Sequence, residues 1–132
     1  MAVVDTSVWI EVFGDPTRRK RRRLLELVGD DEVRLTRFHQ LELLQGARDE
    51  REWSLLSEYL DGQDYLELAD EGWARAARWY YDARRAGRTV RGTIDCCIAQ
   101  VVLDHGELLL HRDRDFASLA TVRPLREQWV AW

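Results

Sequence analysis

The stretch Ala2-Val3-Val4-Asp5-Thr6-Ser7-Val8-Trp9-Ile10 decides the fold of this chain. Its first three residues are apolar and rich in β-branched side chains, which favours a short buried strand. The apolar pattern resumes after the two hydroxyl residues and predicts a helix over about residues 6–13. Ligands of open α/β sheets bind beyond the carboxyl ends of the strands. Asp5 therefore stands where a carboxylate can take part in chemistry.

Further apolar segments alternate with helical patterns along the rest of the chain. Strands are predicted at residues 33–35, 65–68 and 108–110, with Val122 assigned to a fifth, edge strand. Helices are predicted from Pro16 to Gly29, from Thr36 to Gly46, and over residues 50–60, 70–85 and 94–105, with a short one after Phe116. Apolar strands separated by helices predict an α/β fold whose mainly parallel sheet is covered on both faces. We expect one domain over residues 1–132.

Composition limits the function only loosely. The chain has 132 residues, a formal net charge of -4 and 33% charged residues, which does not by itself indicate a nucleic-acid-binding protein. Lys20 is the only lysine among 20 basic residues. This bias fits phosphate binding by arginine or the base composition of the genome equally well. No apolar segment has the length of a signal peptide or membrane span, and Cys96 and Cys97 are adjacent, so we expect a reduced, cytoplasmic protein.

Four acidic residues are expected at the same edge of the sheet. Asp5 and Asp113 each follow a predicted strand, and Glu42 lies on the helix after residues 33–35. Asp95 lies in the first turn of a helix that we expect to begin just after a strand-to-helix loop. Each has a simpler explanation as a helix cap, a dipole partner, a turn residue or a solvated acid. Together they predict a site for a hard divalent cation such as Mg²⁺, which removes the repulsion between carboxylates and can activate a water. Asp115 is a fifth candidate.

Other polar residues near this edge are expected to support the acids. Thr6, Ser7 and Thr93 are positioned to hydrogen-bond the ligand carboxylates or metal-bound waters, and Thr93 is also predicted to cap its helix. The histidines lack the spacing of zinc ligands. His111 stands next to the acids, and we expect it to face solvent or to hydrogen-bond the site. No nucleotide-binding or nucleophile motif is present.

The four acidic segments resemble the motifs of PIN-domain ribonucleases, and in particular VapC-like toxins of bacterial toxin–antitoxin modules. The segments, in family order, are VVDTSVWIE (3–11), QLELLQGA (40–47), GRTVRGTIDCCIA (87–99) and LLLHRDRDF (108–116). The resemblance implies a three-layer α/β/α fold and a Mg²⁺- or Mn²⁺-dependent endoribonuclease. Its implied catalytic residues are Asp5, Glu42, Asp95 and Asp113, with Asp5, Asp95 and Asp113 as metal ligands and Asp115 in support. His111 replaces a common threonine, and His39-Gln40 replace more apolar residues.

The resemblance also implies partners. It predicts a homodimer that is inhibited by a small antitoxin encoded beside it and that cleaves cellular RNA. Arg91, Arg112 and Arg114 lie nearest the predicted site and are candidates for RNA binding, whereas the run from Arg18 to Arg23 is either a phosphate contact or a solvated helix face. Six tryptophans are many for a small domain to bury, and some are expected to line a groove for an antitoxin helix.

Rival functions remain at this stage. A phosphate-acceptor domain is disfavoured, because it would need paired acids at the first strand and a late lysine, whereas Asp5 is alone and Lys20 is the only lysine. A dehalogenase-type phosphatase is disfavoured because it would need an acid where Ser7 stands. A PIN relative that acts on DNA or on another RNA, and a non-catalytic binding module, both stay open.

Overall fold

The central sheet has five parallel strands, as seen in a computed structural model that describes residues 1–132. The strands, in chain order, are β1 (Ala2–Val4), β2 (Val33–Thr36), β3 (Tyr65–Leu66), β4 (Leu108–His111) and β5 (Glu127–Trp129). Their order across the sheet is β3-β2-β1-β4-β5, so the N-terminal strand is central. Ala2 lies opposite Val33 on one side and Leu108 on the other. All carboxyl ends therefore share one edge.

Seven helices cover this sheet. They are α1 (Thr6–Phe13), α2 (Arg19–Val28), α3 (Arg37–Gln45), α4 (Glu50–Asp61), α5 (Gly72–Arg85), α6 (Thr93–Asp104) and α7 (Arg114–Ala120). None of them combines the length and the apolarity that crossing a bilayer requires.

Alternation along β1 separates two apolar cores. Ala2 and Val4 face the core that contains α1 and α2, whereas Val3 faces the larger core built by α5, α6 and α7. Successive side chains of a strand point to opposite faces, so a three-residue strand can contribute to both layers. The predicted three-layer α/β/α arrangement is therefore confirmed. The assignment of residues 1–132 to a single domain stays a prediction.

Local caps set the starts of the helices that follow the strands. The Asp5 side chain accepts a hydrogen bond from the Ser7 backbone N–H at the start of α1, and Asp113 accepts one from Asp115 at the start of α7. Thr36 caps α3 through the backbone N–H of His39. These caps satisfy backbone donors that helix starts leave free, and they bring polar side chains to the carboxyl edge of the sheet.

Some predicted boundaries were wrong. The edge strand is Glu127–Trp129, while Val122 lies in a turn in which its N–H donates to Leu119. Thr93 does not cap α6, since Gly92 occupies the cap position without a side-chain bond. The second helix begins at Arg19 rather than Pro16.

Two of these errors have local physical causes. A polar edge strand lacks the apolar run that marks the inner strands. Before α2, Asp15 accepts backbone hydrogen bonds from Thr17 and Lys20 and holds the intervening residues in a turn.

Candidate active site

Asp5 is buried and held by three hydrogen bonds. Its Oδ2 accepts the backbone N–H of Ser7 at 3.0 Å and the Ser7 hydroxyl at 2.6 Å, and its Oδ1 lies 2.9 Å from Nε2 of His39. Burial raises the pKa of Asp5, but the bonds from His39 and Ser7 outweigh burial and bring the pKa below its ordinary value. The site therefore holds an ionised carboxylate in one orientation.

Ser7 connects Asp5 to the end of β4. Its hydroxyl donates to Asp5 and accepts the backbone N–H of Arg112 at 2.9 Å. The predicted supporting role of Ser7 therefore has a structural basis, because one hydroxyl joins two neighbouring strand ends.

Glu42 reaches the same place from α3. Its Oε1 lies 3.4 Å from the hydroxyl of Thr6, which donates to it. Partial burial and the negative charge of Asp5 raise the pKa of Glu42. Thr6 and Glu42 thus meet at the edge of the sheet as predicted.

Asp95, in the first turn of α6, has a strongly raised pKa. Burial, followed by the charges of Asp113 and Asp5, raises the pKa of Asp95 to about 8. No hydrogen bond to the carboxylate offsets these effects. At neutral pH this position therefore favours a bound proton or a bound cation.

Asp113 and Asp115 form the other side of the site together with Arg91. Oδ1 of Asp113 accepts the Asp115 N–H at 3.0 Å and Nη2 of Arg91 at 2.7 Å. Oδ2 of Asp115 accepts both the backbone N–H and Nε of Arg91, each at 3.1 Å. Arg91 was not predicted to pair with these acids. Its side chain remains 73% exposed, so this pair is screened by water.

The possible metal ligands of the site form two neighbouring groups. Asp5, His39 and Glu42 form one group, and Asp95, Asp113 and Asp115 form the other, with the potential ligand atoms of each group within 4.8 Å of one another. The charges of Asp5 and Glu42 both contribute to the raised pKa of Asp95, so the groups lie within electrostatic reach. Oxygen donors in this number and spacing could bind a hard divalent cation.

His39 is the one member of these groups that was not predicted from the sequence to belong to the site. Spacing had excluded it as a zinc ligand. The signal that could have found it is its position three residues after Thr36, where a side chain returns to the helix cap.

His111 is fully buried, so of the two placements expected for it, solvent or a hydrogen bond to the site, the structure has the second. Its Nδ1 accepts the backbone N–H of Asp113 at 3.1 Å, and its Nε2 lies 2.5 Å from Oε2 of Glu127. The ring also packs against Phe116 and Trp129. It therefore supports the turn that presents Asp113.

The remaining predicted residues differ in their surroundings. Thr93 is exposed and lies one position inside α6 rather than at its cap. The Arg112 guanidinium bonds to Glu11 and to the carbonyl of Val130, and it stacks over Trp129 at 5.0 Å. Arg114 is exposed at the start of α7. RNA binding by these arginines stays a prediction.

Comparisons with known proteins agree with this arrangement. The PIN domain family matches residues 2–122, and the chain belongs to this family. The chain is similar to VapC ribonucleases within the family. Ribonuclease VapC11 of Mycobacterium tuberculosis is 33% identical over 129 residues, which is 96% of each chain.

Solved structures show the same fold. VapBC-5 of Mycobacterium tuberculosis, a member of the VapBC family of toxin–antitoxin systems, superposes with a TM-score of 0.67 at 25% identity, covering 99% of this chain and 98% of that chain. VapBC-1 of nontypeable Haemophilus influenzae superposes with a TM-score of 0.74 at 18% identity, covering 99% and 97%.

Proposed function

We propose that this protein is a divalent-metal-dependent endoribonuclease and the toxin of a toxin–antitoxin module. The observation that carries the proposal is the pair of neighbouring groups of possible metal ligands, in which Asp95 has no hydrogen bond to offset its raised pKa. Relatives named VapC ribonuclease support the activity, and VapBC structures support the toxin role. We assign the cation as Mg²⁺ or Mn²⁺ because the donors are carboxylate oxygens.

We assign a role to each site residue from the contacts that its side chain makes. Asp5, Asp95 and Asp113 would hold the cation, and Glu42 completes the catalytic set. When bound, the cation supplies a nucleophilic water and stabilises charge on the phosphate. Ser7 and Thr6 orient Asp5 and Glu42 through the hydrogen bonds described above. Asp115 keeps Arg91 beside Asp113, and Thr93 remains our candidate for contacts to metal-bound water.

Arginine side chains at the site rim are proposed to hold the RNA backbone. Arg114 is exposed there, and Arg91 remains 73% exposed although it bonds Asp113 and Asp115, so both guanidinium groups can meet phosphates. The Arg112 guanidinium bonds Glu11 and the Val130 carbonyl and would have to exchange these partners to bind RNA. We propose a single-stranded loop as the substrate rather than a duplex, because the unstacked bases of a loop can be splayed out and recognised by the protein.

Cleavage should depend on an added divalent cation. We expect purified protein to cut a mixed pool of single-stranded and structured RNA in Mg²⁺ or Mn²⁺, and to lose that activity in excess EDTA. Gel analysis of end-labelled RNA measures the products. Single-stranded and duplex DNA of the same sequence serve as matched substrates. Preferential cutting of DNA would favour the alternative of a non-toxin PIN nuclease, and binding without cutting would favour a non-catalytic module.

An apolar groove supports the proposed antitoxin partner. The groove has a volume of about 710 Å³ and lies between helices α1 and α2 on one side and α4 on the other. Its apolar lining consists of Trp9, Val12, Phe13, Leu24, Leu25, Leu55, Leu56 and Tyr59. Phe13, Leu25 and Leu55 are each more than half exposed. Arg18, Arg21 and Arg48 border it together with Asp15 and Glu52, and Arg48 bonds Glu52. Because Arg18 and Arg21 have no such acidic partner, we propose an amphipathic antitoxin segment with acidic flanks.

Growth assays test the partner and the groove together. Expression of the wild type alone should arrest growth, and co-expression of the small protein encoded beside it should restore growth. Leu55→Glu should still arrest growth, but co-expression of the neighbouring protein should no longer restore it, because a charge in the groove weakens the binding of an apolar segment. Tyr81→Glu, on the exposed surface of α5, is the matched control and should remain relieved. If co-expression of the neighbouring protein restored growth equally well with Leu55→Glu, the antitoxin would bind outside this groove.

A homodimer is also proposed. Trp73 on α5 is 57% exposed and packs edge-on against Phe38 of α3 at 5.9 Å. These helices therefore present adjoining apolar surface of the kind that subunit contacts bury.

A further inference from the structure

His39 occupies an unusual position for a side chain outside the predicted catalytic set. It is completely buried on α3 and touches Asp5, which lies 34 positions earlier in the chain. Its two ring nitrogens contact different elements: Nε2 meets the Asp5 carboxylate, and Nδ1 meets the backbone of Thr36 at the end of β2. The ring therefore connects two neighbouring strand ends.

The contacts of Nδ1 decide which tautomer is present. The backbone N–H of Thr36 can only donate, and it lies 3.2 Å from Nδ1, so Nδ1 carries no proton. The Thr36 hydroxyl, 3.0 Å from Nδ1, then donates to it as well, while accepting the backbone N–H of His39. A neutral imidazole then carries its proton on Nε2. Nε2 consequently donates to Oδ1 of Asp5 at 2.9 Å. Because its lone pair is used in the N–H bond, Nε2 cannot ligate a cation in this arrangement, although it lies among possible ligands.

The hydrogen bonds on Asp5 then limit how this carboxylate can bind a cation. A carboxylate offers about four acceptor positions, two on each oxygen. Oδ2 uses both positions on the N–H and hydroxyl of Ser7. Oδ1 uses one on His39 and keeps one free. The free position of Asp5 is thus on the oxygen that His39 orients.

We propose that His39 is a positioning residue whose Nε2–H bond to Asp5 holds Oδ1 in the orientation that binds the catalytic cation. This inference rests on the proposed metal-dependent function. It assigns no direct contact between His39 and the cation or the RNA. Partners that orient metal ligands typically contribute ten- to a hundredfold in metal affinity.

The test compares two substitutions of His39 by their Mg²⁺ affinity. His39→Leu removes the donor, and we expect a loss of roughly ten- to a hundredfold in affinity measured by titration calorimetry. His39→Gln keeps an amide N–H that can donate to Asp5, so it should retain most of the affinity. His105→Gln is the control, since His105 lies at the far end of α6 and bonds only to Val101. Circular dichroism verifies that each variant is folded.

A spectroscopic measurement on the wild type keeps the inference testable even if His39→Leu does not fold. Long-range ¹H–¹⁵N spectra should show a protonated Nε2 and a bare Nδ1, unchanged in type after Mg²⁺ is added. An Nδ1–H tautomer, or loss of the Nε2 proton with Mg²⁺, would overturn the proposal.

The two proposals fail in different ways. If the wild type binds Mg²⁺ and His39→Leu binds it equally well, only the role of His39 is lost. If the wild type binds neither Mg²⁺ nor Mn²⁺, the proposed function itself fails. If His39→Gln loses as much affinity as His39→Leu, the histidine ring acts through packing rather than through its donor, which also contradicts the inference.

Discussion

Asp95→Asn is expected to abolish RNA cleavage and, in the absence of metal, to make the protein more stable. The amide keeps the size of the side chain but removes a charge that the cation needs. We expect the cleavage rate to fall by at least about a hundredfold, the upper range for losing a residue that merely supports a ligand. Asp104→Asn, at the opposite end of α6, is the matched control and should keep its activity. Full activity of Asp95→Asn would contradict the assignment of this site.

The gain in stability follows from the direction of the pKa shift. The pKa of Asp95 is raised to about 8 in the folded protein, from about 4 in the unfolded chain. The Asp95 carboxyl therefore binds its proton more tightly in the folded state. Between about pH 4 and pH 8, unfolding releases this proton. Stability of the metal-free wild type should fall as the pH rises from about 4 to about 8. Asp95→Asn should lack this slope and gain roughly 1–3 kcal/mol at pH 8.

Thermal melts with EDTA at several pH values measure this effect. Adding Mg²⁺ should raise the melting temperature of the wild type at pH 8, because a cation takes the place of the missing proton. The same addition should change the Asp95→Asn variant less. A wild type that is equally stable at pH 5 and pH 8 without metal would contradict the electrostatic account.

Asp5→Asn is expected to abolish cleavage as well, but with the opposite effect on stability. All three groups that bond Asp5 are donors, from Ser7 and His39. An asparagine amide would direct its own N–H₂ at one of them, leaving a buried donor unpaired. We expect a loss of roughly 1–3 kcal/mol in the free energy of unfolding. Urea denaturation measures it, with the exposed Asp31→Asn as control.

The pH dependence of the Asp5 contribution also has the opposite sign. The pKa of Asp5 is lowered on folding, so its stabilising effect is present above the ordinary pKa of aspartate and is lost as the pH falls through the folded value. Asp5→Asn should therefore cost stability at neutral pH and little in strong acid. If both asparagine variants stabilised the protein, the hydrogen bonds of Asp5 would be too weak to support the proposed role.

Much of the site could be predicted because its acids occupy recurrent local positions. Asp5 and Asp113 directly follow strands and cap helices, which a short apolar run followed by an acid already indicates. Glu42 follows from the parallel arrangement, since strand ends and the helix starts after them share one edge. Asp95 does not follow from this rule, because α6 comes after the helix α5 rather than after a strand, and the packing of α6 brings Asp95 to the site. The polar strand β5 gave no such signal, so Val122 was assigned wrongly.

Local patterns could not identify the partners of these acids. Arg91 bonds Asp113 and Asp115 from more than 20 positions away, and His39 bonds Asp5 across 34. Nothing in the segments around either residue specifies such a pairing. The sequence left two placements open for His111, in solvent or at the site. The packing of α7 and β5 against its ring decided between them by burying it.

The sequence by itself determined the parallel α/β class and the positions of Asp5 and Asp113 after strands, because strand and helix periodicity is local. Only the tertiary structure decided how the acids of the site differ. Folding surrounds Asp5 with donors from Ser7 and His39, and it leaves Asp95 close to other negative charges without a donor. The pKa of a carboxylate depends on burial and neighbouring charges. Burial and neighbouring charges are set when distant segments meet. Folding therefore lowers the pKa of Asp5 and raises the pKa of Asp95, although the two side chains are identical.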